Sequence, residues 1–118
     1  MEYLGLTFEH LTGDYVRATW TARPELQQIY GIVHGGVHAS IVESLGSLGA
    51  VMWFAGRGRC VGVSNHTEFF RPVSGGVLTS TGTPIHREDS YQMWLVETHD
   101  AAGQLVASGQ LRVQNLPE

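Results

Sequence analysis

The chain has 118 residues, a formal net charge of −4, and 42% hydrophobic against 15% charged residues. That is the size of one domain, 1–118, and its composition excludes a disordered chain. The acidic balance and a pI near 5.8 argue against general nucleic-acid binding. The low charged fraction predicts surface buried against a partner, another copy of the chain being one candidate.

Tyr3 to His10 and Tyr15 to Thr21 are rich in β-branched and aromatic residues and are joined across Thr12-Gly13-Asp14, which predicts a hairpin. Pro24 ends the second strand. Glu25 to Val33 is a connecting loop that leads to the one long helical pattern. Gly35 and Gly36 open that helix, and Gly56-Arg57-Gly58 stops it near Ala55. Cys60 to Phe70 reads as a strand, followed by a turn at Pro72-Val-Ser-Gly-Gly. Val77 to His86 is the next strand, with Pro84 at a bend or edge. Tyr91 to His99 and Gln104 to Val113 form the last pair, joined through Asp100-Ala-Ala-Gly103. Two strands, one long helix and four strands predict an α+β layer fold with an antiparallel sheet. The economical arrangement wraps a curved sheet around the helix.

Within the helix, Ile41, Leu45, Leu48 and Met52 share one face. The opposite stripe is Gly36, Ser40, Glu43, Ser47 and Ala50. Gly35, Gly36, Gly46 and Gly49 each cost ~1 kcal/mol relative to Ala in a helix interior, so close approach by a ligand or a backbone is expected. Glu43 is the sole acidic residue between Glu25 and Glu68, in an otherwise apolar or small segment. Such a carboxylate must be solvated in a cleft, paired, or used. The helix has the length of a membrane span, but His38, Glu43 and several serines interrupt it. No membrane association is expected. The N-terminus lacks a basic region followed by an apolar run, so no signal peptide is expected. The single Cys60 fits a reducing compartment. Together these predict a soluble cytoplasmic protein.

The segment Gln28 … His34-Gly35-Gly36 … Glu43-Ser44-Leu45-Gly46-Ser47 resembles the hotdog-fold acyl-CoA thioesterases. The resemblance is strongest to the branch of the 4-hydroxybenzoyl-CoA and 1,4-dihydroxy-2-naphthoyl-CoA thioesterases. The signature is a carboxylate nine residues after the His, a Gln six before it, and Ser47 four after the Glu. Some thioesterases resembling phenylacetate-pathway enzymes carry Asp where this chain has Glu43, so the Glu favours the aryl-CoA branch. The chain departs from many relatives in starting its first strand at once, and from some in having Phe69 where they have a polar residue near the CoA.

The resemblance implies a hotdog fold and hydrolysis of an acyl-CoA thioester to the acid and free CoA. It implies no cofactor beyond the CoA of the substrate. That chemistry needs a donor for the developing oxyanion, and a carboxylate as nucleophile or general base. A helix N-terminus supplies free N–H groups and partial positive charge, and Gly35 has no side chain to block a carbonyl oxygen there. Glu43 supplies the carboxylate. Gly35 and Glu43 are eight residues apart, or ~12 Å along a helix. One thioester carbonyl cannot touch both in the same chain. Gly35 of one subunit and Glu43 of another, on antiparallel helices, are therefore required. The resemblance agrees, implying a homodimer with shared sites, and a tetramer of two dimers is expected.

Plainer readings stand beside these. Glu43 can be a structural carboxylate capped by Ser40 or Ser47. Gly35 and Gly36 can simply turn the chain into the helix, or Gly36 can lie against substrate. Gln28 is loop surface, or it orients the thioester or the attacking water. His34 reads as a structural group at the helix start rather than a general base. Ser47 bonds to Glu43 or the water, or merely packs. His34 and His38 have i, i+4 spacing but no evident third ligand, so no metal site is expected. No Gly-x-Ser-x-Gly elbow is present for a serine nucleophile. Arg57, Arg59, Arg71 and Arg87 are candidates for the CoA phosphates, Arg71 foremost because relatives end a strand there beside the CoA. Tyr30, Val51, Met52, Phe54 and Phe69 are candidates for an apolar acyl pocket. A hotdog 3-hydroxyacyl thioester dehydratase ranks low, because His34 and Glu43 are not spaced as in that family. A non-catalytic acyl-CoA-binding domain is the other alternative.

Overall fold

A computed structural model describes residues 2–118. Strands β1 (Thr7–Leu11) and β2 (Val16–Thr21) precede helix α1 (Gly35–Phe54). Strands β3 (Gly58–Phe69), β4 (Val77–Arg87), β5 (Tyr91–His99) and β6 (Leu105–Pro117) follow it. The six strands form one antiparallel sheet in the order β1-β2-β4-β5-β6-β3. The expected order of elements is present, with three adjustments. Glu2–Leu4 is a 3-10 turn rather than the start of the first strand. Pro24–Leu26 forms a second such turn inside the connecting loop. β6 runs past Val113 to Pro117, because Gln114 to Pro117 pair with the start of β3.

The helix buries His38, Ile41, Val42, Leu45, Gly46, Gly49, Ala50 and Phe54, an i, i+3, i+4 stripe of the kind that faces a core. Across from it lie Trp94, Val96, Leu111 and Val113 of β5 and β6. The sequence placed this stripe one position off toward its end. Met52 is half-exposed, and Ala50, on the stripe of small residues that holds Glu43, is fully buried. The reason is visible at two glycines. A β-carbon on Gly46 would stand 2.8 Å from Leu111 Cδ2, and one on Gly49 would run into the indole of Trp94. These two glycines let the helix settle onto large sheet side chains, so the close approach expected of them is made by the core.

Polar groups in the core are tied together. Trp94 Nε1 donates to Gln92 Oε1 at 2.9 Å, and Gln92 Nε2 donates to Ala50 O at 3.1 Å and Asn115 Oδ1 at 2.9 Å. Asn115 Nδ2 donates to Glu88 O at 3.0 Å. Trp20 Nε1 donates to Ser80 Oγ at 3.0 Å, which shares a 2.7 Å hydrogen bond with Thr98. The first network joins the helix end to β5, β6 and the β4–β5 turn, and the second ties β2 to β4 and β5.

Among the described residues β3 is an edge strand, paired only with β6. Val61, Val63 and Phe69 on it are exposed, as are Val51 and Met52 on the helix. By length and mean hydropathy (1.2) α1 could span a bilayer, but its apolar stripe is occupied by the sheet.

Candidate active site

The loop before α1 is folded back on itself. Gln28 N–H donates to Ile32 O at 2.8 Å, and Gly31 N–H donates to Gln28 O at 2.9 Å, with Gly31 at φ +78°. Val33 N–H reaches Val73 O at 2.8 Å, and Gln27 Nε2 reaches Ala22 O and Ser74 O. These bonds hold Gln28 beside the helix start. Its side-chain Oε1 accepts from Tyr30 N–H, and its amide nitrogen makes no hydrogen bond among the described residues.

His34 is the N-cap residue, with extended backbone (φ −59°, ψ 138°) and no side-chain cap hydrogen bond. Its carbonyl accepts from Val37 N–H at 3.0 Å. Gly35 and Gly36 N–H have no protein acceptor among the described residues, which leaves two donors at the positive end of a 20-residue helix. Gln28, Ile32, Val33, Gly35, His38, Phe69, Phe70, Arg71 and Pro72 line a cleft of 340 Å³ at this end. Arg71 is exposed at its rim. Gly36 is open, with nothing within 4 Å of where a β-carbon would sit.

Glu43 lies elsewhere. It is exposed and lines a second cleft, of 400 Å³, with Tyr3, Leu4, Ser40 and Ser44. Ser40 Oγ donates to Gly36 O at 2.8 Å, not to Glu43. Ser47, half-buried one turn on, makes no hydrogen bond to Glu43. Among the described residues the carboxylate has no hydrogen-bond or ion-pair partner. Of the three options for an acid in this segment, pairing within the chain is not seen among the described residues, and the carboxylate faces a cleft.

The remaining candidates divide. Phe69 joins the Gly35 cleft. Tyr30 points into solvent at 83% exposure and lines neither cleft. Arg87 is held at the far end of the helix. It donates to Gly13 O at 2.6 Å and Asp14 Oδ1 at 3.1 Å and stacks 4.8 Å over Trp53. Arg57 stacks on Trp53 and on the pocket candidate Phe54, and donates to Trp53 O at 2.7 Å. Phe54 is buried in the core. His34 and His38 diverge, the first exposed and the second buried.

His38, which the sequence offers as an interruption of the apolar helix and as one half of a histidine pair, also lines the Gly35 cleft. Its ring sits between Trp20 (centroids 5.8 Å apart) and Phe69 (6.0 Å). Burial in this apolar setting pushes its pKa below the ordinary histidine value. The signal available in the sequence was its position on the buried stripe, four residues before Val42.

One long helix cradled by a six-stranded antiparallel sheet, with a glycine-opened N-terminus beside a cleft, defines a hotdog thioesterase-like protein. The model of the thioesterase superfamily matches residues 30–107. The solved structure of AziG from S. sahachiroi superposes with a TM-score of 0.97 at 51% identity, covering 99% of this chain and 95% of that one. Rv1847 of Mycobacterium tuberculosis (strain H37Rv), whose name assigns it provisionally to the esterases, is 43% identical over 96% of this chain and 83% of its own length. The 1,4-dihydroxy-2-naphthoyl-CoA hydrolase of Escherichia coli K12 is 28% identical over 92% of this chain and 80% of its own. The chain belongs to the thioesterase superfamily.

Proposed function

We propose that the protein hydrolyses an acyl-CoA thioester, with an aryl or other bulky acyl group, to the free acid and CoA. One observation carries the reading: the unpaired N–H groups at Gly35 and the unpaired carboxylate of Glu43 occupy separate clefts of one chain. Each cleft holds half of what the reaction needs, and a second chain with an antiparallel helix would bring the halves together. The exposed apolar residues of β3 and of the helix, beside a strand with a free edge, are suited to that contact. A homodimer with two shared sites follows, with a tetramer formed from two dimers.

In such a site the thioester oxygen accepts from Gly35 N–H, and Gln28 orients the thioester or the water through its free amide nitrogen. If Glu43 attacks the carbonyl carbon itself, the tetrahedral intermediate expels the CoA thiolate and water then hydrolyses the acyl–Glu43 anhydride, giving the free acid, restoring the carboxylate and supplying the proton that makes the thiol. If Glu43 instead takes a proton from an attacking water, the intermediate expels the CoA thiolate, which leaves as the thiol with that proton. Arg71 at the rim suits a CoA phosphate. Arg87, already engaged with Asp14 and Trp53, is the poorer candidate. The half-buried free Cys60 fits a cytoplasmic setting.

The test is release of free thiol from a panel of acyl-CoAs by the purified chain. Turnover of at least one bulky acyl-CoA is expected. Binding of acyl-CoA without thiol release would make the protein a binding domain instead.

A further inference from the structure

We infer that Asn65 is a positioning residue of this reaction: it tethers the helix turn that carries Glu43 to strand β3, and so fixes where the carboxylate stands. The inference rests on the thioesterase reading above.

Glu43 is placed by its backbone alone. Among the described residues its carboxylate has no partner, Ser40 Oγ gives its hydrogen to Gly36 O, and Ser47 makes no bond to it. Whatever holds the turn beneath Glu43 therefore decides where the carboxylate lies. Asn65 Nδ2 donates to Ala39 O at 2.9 Å. Ala39 is four residues before Glu43, so in α-helical geometry the same carbonyl accepts the Glu43 N–H. Asn65 thus shares an acceptor with the residue it fixes. Among the described residues this is the only hydrogen bond from the sheet to the first half of the helix. The side-chain bonds of Cys60 and Gln92 to Ala50 O, and of Arg57 to Trp53 O, hold the far half.

The amide is itself held. Its Oδ1 accepts from Thr67 Oγ1 at 2.6 Å, which turns the amide nitrogen, a donor only, toward the carbonyl. Asn65, Thr67 and Phe69 stand at alternate positions of β3 and share its helix-facing side. Phe69 meets the helix at Gly35, and Asn65 meets it one turn before Glu43. Asparagine is a poor strand residue. Here a register shift between Gly62 and Ser64 directly precedes it, and such bulges re-aim the side chains beside them.

The experiment is a double-mutant cycle on thiol release, with the best acyl-CoA of the panel, using Asn65→Asp and Glu43→Ala. Aspartate keeps the size and the acceptor for Thr67 but sets an oxygen against the Ala39 carbonyl. With Glu43 present, Asn65→Asp should lower kcat ~10-fold or more, because a small misplacement of a reacting group costs that much. KM should stay within ~2-fold, as for an interaction that serves the transition state alone. With Glu43→Ala the same substitution should cost less than ~2-fold, since no carboxylate is left to place. Asn65→Leu, of similar size with no polar atom, repeats the cycle without an added charge. Thr67→Val, which frees the amide to turn, should give a smaller kcat loss of the same kind. Circular dichroism and melting curves establish that each variant is folded at the assay temperature. Equal losses in the two Glu43 backgrounds, a loss confined to KM, or no loss with either Asn65 variant would overturn the inference and leave the thioesterase reading standing. No thiol release from any acyl-CoA by the wild-type chain would overturn both.

Discussion

Phe69 closes over Gly35: a β-carbon on Gly35 would stand 2.7 Å from the tip of the Phe69 ring. The first residue of the helix and the last of β3 thus meet at the cleft where the free N–H groups lie. The ring is half-exposed and can swing outward. Gly35→Ala should therefore cost little stability, under ~1.5 kcal/mol, the scale of one strained rotamer. It should still lower thiol release by at least ~10-fold, because the methyl and the displaced ring crowd the oxyanion position. Thermal denaturation and steady-state kinetics on the same preparation check both.

Glu43→Ala should be thermodynamically quiet and catalytically severe. The side chain is exposed and unpartnered, so its removal should move stability by no more than ~0.5 kcal/mol. Activity should drop at least ~100-fold, the scale of a positioned acid or base. Glu43→Asp should retain some activity. Wild-type turnover by the Ala variant would remove Glu43 from the mechanism.

The glycines of the helix should separate cleanly. Gly49→Ala drives a methyl into the buried Trp94, so a loss of ~1–3 kcal/mol is expected from overpacking. At Gly36, where nothing lies within 4 Å, Ala should raise stability by ~0.4–1 kcal/mol. Urea denaturation of the two variants gives the signs. A stabilised Gly49→Ala would mean that Trp94 is free to move.

The same glycines show what could be read before the fold was known. Glycine content in the helix announced close approach but not its partner, because that depends on which strands face the helix. The helix bounds and most strand bounds were legible from periodicity and from Gly and Pro punctuation. The end of β6 was not, since Gln114 and Asn115 break the apolar alternation and are held by pairing with β3, Asn115 also by the carbonyls of Glu88 and Asp89 and Gln114 by that of Ser90. Glu43 stood out as a lone acid. His38 did not: its place on the buried stripe hinted at burial, but its neighbours Trp20 and Phe69 arrive from distant strands.

His38 should also leave a trace in stability. Burial lowers its pKa in the fold, while the unfolded chain protonates it near ~6.5. The neutral ring's contribution is thus complete above that value and is lost as pH falls through it toward the folded pKa. Urea unfolding at pH 8 and pH 5.5 should show a larger acid-induced loss in wild type than in His38→Phe. Equal losses would show that His38 titrates alike in both states.

The shared site makes the sharpest demand, on which chain supplies which group. Gly35 suits a proline test. It is the first helical residue, where proline is well tolerated, and His34 before it already has the extended backbone that a following proline requires. Its N–H bonds no acceptor among the described residues, so Gly35→Pro removes the proposed oxyanion donor without breaking a hydrogen bond seen in the fold. The Phe69 ring must move aside, and circular dichroism will show whether the helix survives. Homodimers of Gly35→Pro and of Glu43→Ala should each be nearly inactive. In a mixed dimer one site carries both lesions and the other carries neither. Random exchange makes about half the dimers mixed, so about a quarter of wild-type sites should return, by the symmetry of a two-fold interface. If both groups acted within one chain, every site would carry one lesion and mixing would restore nothing. Replacing Gly35 by a bulky residue, which keeps the N–H but obstructs the carbonyl, repeats the test without proline. Confirmed heterodimers that recover no activity with either substitution would rule out the shared site.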